Sequence, residues 1–269
     1  MNNLNEIRAA VRKKQPLIHC ITNPISINQC ANAILAIGAR PIMAEHPSEV
    51  REITETADAL MLNLGNITDV RMKSMEISLR AAKEKNIPVI VDAVGVACSG
   101  LRRDYLAGLL GIGVPTVIKG NYSEIYALYH AAYRSSGVDA DAAIDGETVG
   151  HAASVLARKY GTVILASGKA DVASDGERIM YIRNGTPQLS SVTGTGCMLG
   201  ALCGGYLSAC HDIHAAAAAC AVMGVCGQLA GTEKGSGSFM VNLMDALSSL
   251  TDAQLGQYMN LEEMTYEKP

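Results

Sequence analysis

The chain has no tryptophan, one phenylalanine and only 4% aromatic residues. So few large rings leave little with which a single chain could close a deep pocket. Charge is scarce too: 18% of the 269 residues are charged and the formal net charge is −4. That balance provides no basic footprint for nucleic acid or an anionic membrane, so polyanions are not expected partners. The N-terminus, Met1 to Pro16, lacks the apolar core of a signal peptide, and the mature protein is expected to start at Met1. Neither weakly charged stretch supplies the ~20 predominantly apolar residues of a membrane span. Asn184 to Cys210 is rich in Gly, Ser and Thr, and alanine-rich His214 to Gly231 is interrupted by Gly224, Gly227 and Gln228. Both read as buried helices. The eight cysteines form no C-x-x-C pair and are scattered through apolar segments. They read as reduced thiols packing as small hydrophobes, which implies a cytoplasmic protein.

What is present is an apolar content of 49%, enough in a chain of this length to bury a sizeable core. No break in composition divides residues 1–269, so a single α/β domain is expected. Short apolar runs read as buried strands at Pro16 to Ile21, Arg40 to Ala44, Ala59 to Leu64, Pro88 to Asp92, Val114 to Lys119 and Thr162 to Ala166. Helical patterns lie between them; Asp69 to Lys85, for example, sets Met72, Met75, Leu79 and Ala82 on one face. Repeated β-α predicts a mostly parallel sheet covered by helices. Ala170 to Ala173 and Arg178 to Ile182, joined at Asp175-Gly176, predict a hairpin that makes the sheet mixed at one edge. Helices are expected near 197–209, 212–230 and 238–249, followed by a polar tail.

The most informative stretch is Thr193-Gly194-Thr195-Gly196-Cys197-Met198, which opens the first of those helices. Glycines on both sides of Thr195 allow a close backbone approach, and the helix N-terminus favours an anion there. Cys197 places an ionisable thiol at that positive end. In parallel sheets ligands bind beyond the carboxyl ends of the strands, and those ends carry Thr22-Asn23, Met43, Asn63-Leu64-Gly65, Asp92, Lys119-Gly120-Asn121 and Ser167-Gly168. Asp92 either binds Mg²⁺ or caps the following helix. Asn121 and Glu124 have the spacing of a capping box, and Glu124 could alternatively order metal-bound water. Lys119 either meets a phosphate as a point charge or ends a strand in solvent. Met43 suits either an apolar slot or the core, and His19 reads as a satisfied core histidine. No histidine has the ligand spacing of a zinc site.

Together these residues resemble the ribokinase-like kinases, and within them the hydroxyethylthiazole kinase family. The resemblance is carried by Leu17 to Pro24, Gly38 to Ala44, Leu62 to Gly65, Pro88 to Gly95, Ile118 to Glu124 and Val192 to Cys197, in family order from about residue 10 to about 250. It implies a three-layer sandwich, with a mostly parallel central sheet flanked by helices. The implied reaction is ATP-dependent, Mg²⁺-assisted phosphorylation of the primary hydroxyl of 4-methyl-5-(2-hydroxyethyl)thiazole in thiamin salvage. The implied assembly is a homotrimer with active sites between subunits. Cys197 matches the catalytic position, where the wider superfamily usually has aspartate. Asn23, Met43 and Gly194 match positions lining the thiazole, and Ile25 is expected beside them. Lys119 and Ser167 match positions contacting ATP, with Asn121, Gly168 and Gly196 expected on the same side. Asp92 and Glu124 match the carboxylates that organise magnesium. The alternatives are another ribokinase-like alcohol kinase, such as a hydroxymethylpyrimidine or sugar kinase, a thiol-dependent acyl transferase, and a non-enzymatic thiazole-binding or structural trimer.

Overall fold

In the computed structural model, which describes residues 2–135 and 144–266, strands and helices alternate. The first half runs α1 (Asn2–Lys14), β1 (Leu17–Ile21), α2 (Ile27–Ala36), β2 (Arg40–Ile42), α3 (Val50–Thr56), β3 (Ala59–Asn63), α4 (Asp69–Lys85), β4 (Val89–Asp92), α5 (Gly100–Ile112) and β5 (Val117–Asn121). It continues through α6 (Tyr122–Tyr129), α7 (Gly146–Tyr160), β6 (Val163–Ser167), β7 (Asp171–Ser174), β8 (Arg178–Ile182), α8 (Thr195–Leu207), α9 (Ile213–Leu229), α10 (Ser236–Ser249), α11 (Asp252–Tyr258) and β9 (Leu261–Thr265). The nine strands form one sheet in the order β2-β1-β3-β4-β5-β6-β7-β8-β9. Neighbours from β2 to β6 pair in parallel, and β7, β8 and β9 add antiparallel. The fold is α/β with helices on both faces, as the alternating pattern predicts.

Because successive side chains of a strand point to opposite faces, each buried strand feeds two cores. Met61, Ile90 and Val117 join the layer built from α1, α2, α8, α9 and α10. Leu60, Leu62, Val89, Val91 and Ile118 join the layer of α4, α5, α6 and α7. The same alternation sends the next residues, Asn63, Asp92 and Lys119, to the α8 side at the carboxyl ends of their strands. The small residues of α8 let it lie close to the sheet there: a Cβ on Gly200 would stand 2.8 Å from Met61 Cε and 3.5 Å from Asp92 Oδ2.

Several boundaries differ from the sequence reading. β2 ends at Ile42, leaving Met43 and Ala44 beyond it, and β5 runs Val117–Asn121, so Lys119 lies inside the strand rather than at its end. The expected polar tail instead contains α11 and the edge strand β9. β9 is almost wholly exposed, which erased the apolar signal; its pairing with β8 makes it a strand. All eight cysteines are free thiols. Six are buried as expected, but Cys98 is exposed and Cys210 half-buried. Among the described residues no helix is long and apolar enough to cross a membrane.

Candidate active site

The register of the parallel strands sets Asn63 opposite Asp92, and Asp92 opposite Lys119. Three polar side chains thus stand abreast under the first turn of α8. Asp92 Oδ2 accepts from Lys119 Nζ at 3.0 Å and from Asn63 Nδ2 at 3.1 Å. Asp92 is fully buried and Lys119 is 3% exposed, so the pair is held in a low-dielectric setting. Burial raises the Asp92 carboxyl above the ordinary range while the Lys119 ammonium pulls it back. Burial likewise works against the lysine charge, yet Asp92 and Glu124 outweigh it and hold Lys119 above its usual value.

Gly194 caps α8 with φ 91°, a backbone conformation that side chains rarely adopt, and a Cβ there would also press on Ser26 at 3.1 Å. The result is a helix start at Thr195 and Gly196, whose first N–H groups have no intrahelical partner. Cys197, in that first turn, is 8% exposed, and its Sγ accepts from Asn63 Nδ2 at 3.3 Å. The helix end does not win at this thiol: burial, then the nearby Asp92 charge, push Cys197 upward, so it is protonated at neutral pH.

Glu124 sits in the capping box its spacing predicts. Its Oε2 accepts the Asn121 N–H at 2.7 Å, while Asn121 Oδ1 accepts the Glu124 N–H at 2.9 Å. Its Oε1 accepts the Gly95 N–H at 2.7 Å. Glutamine, which at first sight preserves the box, cannot accept both of those bonds; one backbone donor would face its amide. Burial, followed by the Asp92 charge, pushes Glu124 from 4.5 up to about 7. The folded state therefore keeps a proton that the unfolded chain releases, and the stability this carboxyl contributes is full below about pH 4.5 and lost as pH rises to about 7. Chemical denaturation without Mg²⁺ or nucleotide is expected to lose about 2 kcal/mol between pH 5 and pH 8 through this group. Glu124→Gln should flatten that slope; a slope identical to wild type would show that Glu124 does not titrate in this range.

A cavity of about 630 Å³ opens on the other side of the α8 N-terminus. Ser167, Gly168, Asp171, Thr195, Gly196 and Leu199 are among its lining residues. Ser167, Gly168 and Gly196 therefore share one cavity. Lys119 and Asn121 do not line it: Lys119 lies beneath, its Nζ 3.9 Å from where a Gly196 Cβ would be, and Asn121 serves as the N-cap of α6. On the opposite flank, Asn23 accepts the Ile25 N–H through Oδ1 at 3.1 Å, and its Nδ2 lies against Gly65. Met43 is half-buried past the end of β2, whereas Ile25 is 59% exposed. His19 is a satisfied core histidine, bonded to Thr54 Oγ1 and the Ala44 carbonyl at 2.9 Å each, and burial lowers its pKa.

Among the described residues no group of three or more His, Cys, Asp or Glu could enclose a metal ion. Mg²⁺ does not require one, since it is commonly held by one or two carboxylates together with water and substrate phosphates. Asp92 Oδ1 fits that role: it is buried and has no hydrogen-bond partner. The sequence reading missed two residues. Asp171, at the start of the hairpin, lines the cavity and accepts the Gly168 N–H at 3.1 Å. Asn63 joins Asp92 to Cys197; its place at a strand end was legible, but its partner 134 residues away was not.

A mostly parallel sheet clad on both faces, with a polar row under a glycine-led helix, is the fold of the ribokinase-like kinases. A ribokinase-like superfamily protein from Enterococcus faecalis shares that fold with a TM-score of 0.64 at 14% identity, over 90% of this chain and 87% of that one. The hydroxyethylthiazole kinase family model matches residues 8–253, and the chain belongs to that family. It is similar to hydroxyethylthiazole kinase 2 of Clostridium botulinum (strain Kyoto / Type A2), at 46% identity over 252 residues covering 92% of this chain and 95% of that protein. Hydroxyethylthiazole kinase 1 of Methanosphaera stadtmanae is 35% identical over 280 residues, 98% of each chain. The solved structure of a hydroxyethylthiazole kinase protein from Pyrococcus horikoshii OT3 matches with a TM-score of 0.90 and 32% identity, over 98% of this chain and 100% of that one.

Proposed function

We propose that the chain, acting as one kinase domain in the cytoplasm, transfers the γ-phosphoryl group of ATP to the primary hydroxyl of 4-methyl-5-(2-hydroxyethyl)thiazole. The observation that carries this reading is the buried row Asn63–Asp92–Lys119 beneath the N-terminus of α8, with a cavity on one flank and the Asn23–Met43 surface on the other. The cavity takes the nucleotide: Ser167, Gly168 and Gly196 line it, and Leu199 and Met223 give it apolar wall. The exposed N–H groups of the α8 first turn meet the phosphates, and Lys119 adds positive charge from below. Asp92 Oδ1, with Glu124 nearby, would hold Mg²⁺, which would supply charge neutralisation on the phosphoryl oxygens. Asn23, Ile25, Met43 and Gly194 form the thiazole side. Cys197, a neutral thiol, orients the hydroxyl; a loose phosphoryl-transfer transition state depends chiefly on positioning and charge stabilisation, so a strong base is not required. ADP release measured against thiazole, pyrimidine and sugar alcohols tests this, with the thiazole alcohol expected to give the highest kcat/KM. Faster turnover of the hydroxymethylpyrimidine would overturn the substrate assignment.

The thiazole side lies open in one chain, with Ile25 largely exposed. A homotrimer with sites shared between neighbours completes it, and an obligate interface of that kind commonly buries more than ~2,000 Å². Light scattering at assay concentration is expected to return three times the chain mass. A fully active monomer would contradict the shared site.

A further inference from the structure

Asn63 is locked in one orientation. Its Oδ1 accepts the Gly65 N–H at 2.7 Å, so turning the amide over would set a donor against a donor. Nδ2 therefore directs both hydrogens toward β4 and α8, one to Asp92 Oδ2 at 3.1 Å and one to Cys197 Sγ at 3.3 Å. Asn63 is fully buried, so neither hydrogen has water as an alternative. Asp92 has a second donor in Lys119; the sulfur also meets the Ser26 hydroxyl, from the start of α2, and Asn63 is the donor contributed by the sheet.

We propose that Asn63 is the positioning residue for Cys197, fixing Sγ against the sheet at the first turn of α8, where the acceptor hydroxyl would meet it. The inference rests on the kinase reading above. An N–H donor favours thiolate over thiol, so Asn63 also makes the sulfur a better acceptor than burial and Asp92 would leave it. Because one amide holds both Asp92 and Cys197, the carboxylate on the phosphate side and the thiol on the alcohol side keep a fixed separation.

Asn63→Asp tests this with little change of shape: it keeps an oxygen for the Gly65 N–H, removes the donated amide hydrogens and adds an ionisable carboxyl beside Asp92. We expect kcat to fall about tenfold or more, with KM for both substrates within about twofold. A double-mutant cycle separates action through the thiol from the effect of an added charge on Asp92. In a Cys197→Ala background Asn63→Asp should cost less than about a further twofold. An unchanged kcat in the single variant, or the same factor lost in both backgrounds, would overturn the proposal. If Asn63→Asp does not fold, Asn63→Ala enters the same cycle. A second readout needs no kinase activity: alkylation of Cys197 by iodoacetamide in the full chain, followed by peptide mass spectrometry against pH. Its midpoint should rise by about one pH unit in Asn63→Asp and rise also, by less, in Asn63→Ala. Midpoints equal to wild type would refute the hold on sulfur. Should wild type fail to phosphorylate the thiazole alcohol, the kinase reading falls, and the alkylation midpoints alone decide for or against Asn63.

Discussion

Asp92→Asn is expected to lower phosphoryl transfer by about 10³-fold or more, because it removes the carboxylate that neutralises Lys119 and that we propose supports the nucleotide's metal. It should also destabilise the fold. The Lys119 ammonium, 3% exposed, would lose the charge of its 3.0 Å partner and keep the weaker fields of Glu124 and Asp171. Removing one member of a buried pair costs about 3–5 kcal/mol, whereas removing both often costs little. Asp92→Asn combined with Lys119→Met should therefore recover most of the melting temperature and none of the turnover. Thermal melts and ADP-release assays on the two variants check the separation. A double variant with near-wild-type turnover would show that the pair serves the fold alone.

The second large effect concerns Cys197. Cys197→Ala is expected to lower kcat about 10²-fold, the low end for general acid–base catalysis. Cys197→Asp should match or exceed wild type. The thiol is pushed upward by burial and by Asp92, so little thiolate exists at neutral pH. A carboxylate in its place would be ionised more readily, with the α8 N-terminus, Lys119 and the Asn63 amide to stabilise it. Covalent catalysis predicts the reverse, since aspartate could not replace a nucleophilic sulfur. If aspartate abolished turnover as fully as alanine and mass spectrometry trapped a modified Cys197, the orienting role would be wrong.

How much of this was legible depended on what kind of signal each part left. The strands of the parallel half announced themselves as apolar runs, and Asp92 stood out because a carboxylate ends Val89-Ile90-Val91. Period-two alternation then predicts that Asn63, Asp92 and Lys119 can share a face. It does not predict that they stand abreast, because the register between strands far apart in the chain is not written in either strand's own alternation. Lys119 consequently reads as either a phosphate contact or a strand end in solvent, whereas it is buried and tied to Asp92. Glu124 was read as either cap or metal organiser, and its carboxylate is anchored by the capping box and by Gly95 together. That second anchor comes from the loop after β4 and leaves no mark in the sequence. β9 was lost for the opposite reason: an exposed edge strand is held by backbone pairing, which composition does not record.

The central claim is transfer of a phosphoryl group to the side-chain hydroxyl of the thiazole. Phosphorus-31 NMR of the purified chain with ATP, Mg²⁺ and 4-methyl-5-(2-hydroxyethyl)thiazole reads that transfer directly. The account predicts one new phosphomonoester resonance, growing in step with ADP and absent when either the alcohol or ATP is omitted. ADP accumulating with inorganic phosphate and no phosphomonoester would contradict it.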